Sequence, residues 1–208
     1  MTFETWLAFV AATVILLIIP GPTVLLVVSY ALGQGRRAAL PMAVGVACAD
    51  LTAMTLSILG LGVLLKTSAA LFTVLKWAGA AYLLWLGLKL WQAGGALHAT
   101  PRKGEARPLK MAAHAWLVTC LNPKGITFFV AFLPQFIDPN ADFLTQMAIL
   151  IATFVTLSFT NSMSWGLLAG HARSFVQNEK TMSLFNKAGG TMLIGAALAT
   201  AMVRTAQN

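Results

Sequence analysis

Apolar positions along this chain come in long runs separated by short polar connectors. A bilayer-spanning helix needs about 20 predominantly apolar residues. Six stretches reach that length: Trp6–Leu32, Leu40–Leu65, Ala69–Trp91, Met111–Phe136, Phe143–Ala169 and Leu184–Met202. The connectors read "GQGRRAA", "KTS", "GGALHATPRKGEARPLK", "IDPNAD" and "HARSFVQNEKTMS". The pattern predicts an all-α polytopic membrane protein of six transmembrane helices, with one transporter domain over residues 1–208.

Composition agrees with the pattern. Hydrophobic residues make up 58% of the chain and charged ones 10%, against about 25% charged in a soluble domain. The net charge of +8 is scattered over connectors rather than gathered in a patch, which argues against a nucleic-acid partner. It sets an orientation instead. Connectors one, three and five, with the span ends beside them, hold Arg36, Arg37, Lys89, Arg102, Lys103, Arg107, Lys110, Arg173, Lys180 and Lys187. The opposite side holds Lys66, Lys76 and Arg204. Loops rich in Lys and Arg stay in the cytoplasm, so both termini are expected in the periplasm. The start, "MTFETWLAFV", lacks the basic residues of a secretory signal and reads as part of a retained first span.

One basic residue fits neither side. Lys124 lies inside span four, in "CLNPKGITFF". That span is interrupted by Asn122-Pro123-Lys124-Gly125, as span one is by Pro20-Gly21-Pro22. Proline removes a backbone donor and clashes with the preceding turn; Gly21 is read as adding permissive torsions. The halves match elsewhere. Asp50 in span two is answered 111 positions later by Asn161 in span five, and Ala78-Gly79 by Ala188-Gly189 at an offset of 110. We read a duplicated three-helix unit, with repeat one over about 1–93, a cytoplasmic connector over about 94–110 and repeat two over about 111–208. Three spans per unit invert the second copy, the plan of many secondary transporters.

The chemistry follows from the breaks. They release backbone carbonyls and amides in the membrane, which lipid cannot satisfy, and they create half-helix N-termini that attract anions. Paired breaks point to a substrate site. Asp50 is the one acid deep in a span, where a charge costs at least about 2.5–3.5 kcal/mol. It reads as a proton-coupling carboxylate, a counter-charge for a substrate ammonium, or a structural partner of Lys124. Asn122 and Asn161 can each donate and accept and read as cavity-lining or interhelical groups. The stripe Gly45, Ala49, Ala53 reads as close helix packing. Cys48 and Cys120 show no C-x-x-C spacing, and the three histidines no metal-ligand spacing. No nucleophile–base constellation or nucleotide-binding loop is present, so no enzyme is expected.

The stretches "IIPGPTVLLVVSYALGQGRRAALPMAVGVACAD", "KWAGAAYLLWLGLKLW", "NPKGITFFVAFLPQF" and "NKAGGTMLIGAALA" closely resemble the LysE/RhtB family of bacterial amino-acid exporters, from Thr2 to about Val203. Family members often carry glycine before the aspartate, where this chain has Ala49. The resemblance implies a six-span inner-membrane exporter of amino acids or similar small zwitterionic metabolites, working by proton antiport. It carries over Pro20, Gly21, Pro22, Asp50, Asn122, Pro123, Lys124 and Gly125 as motif positions. Expected partners are the lipid bilayer, an amino-acid-like cargo, protons and a second copy of the chain in a homodimer; no cofactor or metal is expected. Two other readings stay open: a membrane thiol-redox relay through Cys48 and Cys120, and a metal-ion efflux protein.

Overall fold

The structure is a computed structural model that describes residues 1–67, 107–138, 141–169, 171–172 and 178–202, together with Trp77, Ala81, Leu84, Trp85, Gly87–Lys89, Trp91 and Gln92. The expectation for span three falls mostly outside the described residues, as do the long connector and the C-terminal end. All regular structure among the described residues is helical.

Span one is two helices, α1 (Phe3–Ile18) and α2 (Pro22–Gln34). They are bent by 54° at residues 19–21. Span two is the uninterrupted α3 (Ala39–Thr67), reached through a 3₁₀ turn at Arg36–Ala38. Span four is again divided: α4 (Pro108–Cys120), then α5 (Pro123–Thr127) running on through a π turn at Phe128–Phe132 and a 3₁₀ turn at Leu133–Phe136. α6 (Phe143–Leu167) and α7 (Glu179–Met202) follow. Among the described residues, Arg36–Gly60 and Phe143–Leu167 are long and apolar enough to cross a membrane, and α1 with α2 makes a third such span if the bent pair is one.

The turns are built as the local sequence dictates. Pro22 and Pro123 both stand at the first position of a helix, where a missing N–H costs nothing. Gly35, with φ of 74°, is the one described residue at positive φ and makes the turn into α3. Asp142 caps α6, its carboxylate accepting the Thr145 amide at 2.8 Å. Its hydrogen bonds with Thr145 hold the Asp142 carboxyl below the usual carboxylate range. Gln146, buried one turn in, accepts from Asp138 N at 2.9 Å and donates back to the carbonyls of Asp138 and Ala141.

α3 is the central helix and packs chiefly against α6 and α4; α1 lies on α6, and α2 on α6 and α4. The stripe of small residues on α3 does serve packing. A Cβ on Gly45 would stand 2.2 Å from the Ala112 carbonyl oxygen, so α3 and α4 touch backbone to backbone there. Gly87 and Gly190 meet likewise, a Cβ on Gly190 falling 2.5 Å from the Gly87 oxygen.

Two apolar clusters flank the breaks. One joins Phe9, Leu16, Met54, Ile58, Phe128, Phe129, Leu133 and Phe154, with Phe129 and Phe154 edge to face at 4.8 Å. The other joins Val27, Tyr30, Met42, Val46, Met111 and Ala115. Along α1–α2, α3 and span four the order is the same: one cluster, then the polar position, then the other cluster. Large apolar side chains also cover the outside, with Leu56 64% and Leu109 80% exposed, while Asp50, Asn122, Gln146, Ser158 and Ser162 are buried. Polar groups inside and leucines outside are the arrangement that lipid, not water, selects.

Candidate functional site

The polar layer between the clusters begins with a backbone account. In an unbroken helix each carbonyl accepts from the amide four residues on. Pro20 cannot serve Leu16, and Pro22 cannot serve Ile18. The chain leaves the helix at Ile19, which is extended at φ −65°, ψ 115°, so Leu17 and Ile19 lose their donors as well. Side chains from the second half of the chain take the helix's place. Lys124 Nζ donates to the Leu16 and Ile19 carbonyls, at 2.9 Å each. Asn161 Nδ2 donates to the Leu17 carbonyl at 3.1 Å.

The second break is knitted to the first on its other side. Asn122 is extended and caps α5, its Oδ1 accepting the Lys124 amide at 3.1 Å. Its Nδ2 donates to Thr23 Oγ1 at 3.1 Å, and Thr23 shares a hydroxyl–hydroxyl bond of 3.2 Å with Thr119. The N-terminus of α2 therefore lies against the N-terminus of α5. α2 has no side-chain cap of its own.

Asp50 is 6% exposed on α3. One of its carboxylate oxygens accepts the Ser158 hydroxyl of α6 in a short hydrogen bond. Asp50 and Lys124 lie within electrostatic reach of each other, but the described contacts include no ion pair between them. Each has other partners, which departs from the reading of a structural Asp50–Lys124 pair. Thr13, wholly buried on α1 nearly two turns before the break, has a hydroxyl with no hydrogen-bond partner among the described residues.

Beside the first break a cleft of about 380 Å³ is lined by Ile18, Asn161, Ser164, Trp165 and Leu168, among others. It is the size of a small-metabolite pocket, which runs from about 300 Å³ upward. Farther along, Tyr30 OH and His114 Nδ1 bond at 3.0 Å between α2 and α4.

The structure thus brings Asn122, Lys124 and Asn161 to the first break and holds Asp50 between α3 and α6. It alters the part given to Gly21. Its φ of −140° and ψ of −168° are extended torsions open to any residue, and a Cβ there would be in ordinary contact, 3.7 Å from Lys124 Nζ. The bend comes from the two prolines. Thr23 and Thr119 were not singled out from sequence as site residues. The signal was available, a hydroxyl within three positions of each break. Of the cysteines, Cys48 is exposed and Cys120 turns its thiol to the Ala49 carbonyl at 3.8 Å.

Helices broken within the span, with the freed backbone held by polar side chains inside an apolar shell, define a membrane translocator. The chain belongs to the LysE type translocator family, whose family model matches residues 14–203. It is 34% identical over 203 residues to the homoserine/homoserine lactone efflux protein of Salmonella typhimurium, covering 97% of this chain and 98% of that protein. It is 32% identical over 210 residues to the leucine efflux protein of Klebsiella pneumoniae, covering 96% of each. An uncharacterized membrane protein of Vibrio cholerae is 32% identical over 204 residues, covering 98% of this chain and all of that one. No solved structure matches the chain.

Proposed function

We propose that the protein is a secondary active exporter of amino acids or related small zwitterionic metabolites across the bacterial inner membrane, driven by proton antiport. Its six spans form two inverted three-helix units with both termini in the periplasm. The observation that carries the reading is the joining of two broken spans, through Lys124 and Asn122, beside a buried carboxylate. Relatives named for homoserine, homoserine lactone and leucine efflux favour a cargo with an uncharged side chain. So does the presence of a single buried acid among the described residues, which must answer the coupling ion.

Asp50 is the coupling group in this reading. It joins α3 of the first unit to α6 of the second through Ser158. A mid-membrane charge costs at least about 2.5–3.5 kcal/mol, so gaining or losing a proton changes how tightly those two helices close on it. The cargo's carboxylate is met by the uncapped N-terminus of α2, by Asn122 and by the third donor of Lys124. Its ammonium has the Ile18 carbonyl, which Pro22 leaves without a helical partner. Asn161, Ser164 and the open Thr13 hydroxyl supply neutral polar contacts. The two apolar clusters act as the outer and inner gates, opened one at a time.

The test is export itself. A bacterium overexpressing the protein and fed dipeptides is expected to release one or a few amino acids into the medium, and Asp50→Asn at equal membrane level is expected to release none above background. A parent that releases nothing removes the exporter reading, and a fully active Asp50→Asn removes proton coupling through this residue. The thiol-relay and metal-efflux readings gain no observation.

A further inference from the structure

The carbonyls of Leu16 and Ile19 end a half-helix of 16 residues, so they carry the negative end of its dipole. In an unwound membrane helix such oxygens form a cup for a free cation. Here the cup is filled. The Lys124 ammonium lies 2.9 Å from both oxygens, and it comes from 108 and 105 residues farther along the chain, in the other broken span. The flank of the break is closed separately, by Asn122 to Thr23 and Thr23 to Thr119. Both faces of the first break are therefore fastened to the second. Charged neighbours are few. α2 and α6 carry no Asp, Glu, Lys, Arg or His, α1 carries only Glu4 in its first turn, and Asp50 of α3 is the acid in electrostatic reach.

We propose that Lys124 is a tethered cation: its ammonium occupies a carbonyl cup built for a monovalent cation and pins the two breaks together as the pivot about which the two repeats move. Lys124 is a positioning residue in this role. Two consequences follow. Seating the break needs no alkali cation from solution. Removing the side chain leaves a cup that a free primary ammonium ion can fill.

Lys124→Ala removes the four atoms that n-propylammonium restores, and n-propanol is the neutral counterpart of that ion. Transport by Lys124→Ala is expected to fall at least about tenfold, the scale of one charge-assisted hydrogen bond. n-Propylammonium is expected to recover much of it and to raise the thermal unfolding midpoint of the purified variant; n-propanol is expected to do neither. Equal effects of the two compounds, or a variant indistinguishable from the parent in transport and unfolding, overturn the proposal. The transport readout rests on the exporter reading, whereas the unfolding readout does not, so a parent without export leaves the cup still tested. Should Lys124→Ala fail to accumulate, Lys124→Arg and Lys124→Met decide. Arg accumulating well above Met supports the charged cap, and equal levels refute it.

Discussion

At the scale of single residues, the site is an exercise in completing a hydrogen-bond account inside lipid. Two prolines strip donors from span one, and Lys124 and Asn161 return them from the other half of the chain. Asn161→Leu removes the donor to the Leu17 carbonyl while keeping side-chain bulk. Interhelical hydrogen bonds in membranes contribute about 0.6 kcal/mol on average and up to about 1.7, so the variant is expected to lose about 1 kcal/mol of stability in a thermal or denaturant unfolding assay. A variant as stable as the parent would show that this bond is replaced by solvent. Ser158 and Thr23 belong to the same account. Each hydroxyl serves a named partner across a helix interface, on Asp50 and on Asn122 and Thr119.

At the scale of elements, the long helices are fastened by small residues and the broken ones by polar side chains. Gly45 is the sharpest case, because the atom its Cβ would meet is backbone rather than a movable side chain. Gly45→Val must push α3 from α4 and so disturb the site on both. The expected cost is about 1–3 kcal/mol, as for overpacking in general, read as a lower unfolding midpoint and reduced export. Gly60 on the same helix faces open space, and a Cβ there would meet nothing within 4 Å. Gly60→Ala is therefore the control and is expected to leave both readouts unchanged. Parent-like behaviour of Gly45→Val would mean that the two helices have slack at their crossing.

At the scale of the whole molecule, the polar groups at the two breaks lie between two apolar clusters among the described residues. In the proposed exporter, access to those groups alternates as one cluster or the other parts. The direction of that access depends on topology. The excess of Lys and Arg in connectors one, three and five argues for a periplasmic C-terminus, so alkaline phosphatase fused at Asn208 is expected to be active. A stably made but inactive fusion would invert the orientation and with it the assignment of inner and outer gates.

Much of this was legible in the amino-acid sequence. Hydrophobic run length fixes helices because lipid allows no other way to satisfy a lone backbone segment. Prolines mark the breaks because they lack the donor wherever they fall, and the breaks stand where "PGPT" and "NPKG" predict them. What the sequence left open was pairing. Asp50, the acid deep in span two, and Lys124, at the break of span four, could be matched by charge alone, yet Asp50 is bonded to Ser158 and Lys124 to the carbonyls of span one. The choice depends on which helices lie side by side and on the direction of freed carbonyls, both set by contacts between residues about a hundred positions apart. Local pattern carries the interruptions; only the tertiary structure decides which groups answer them.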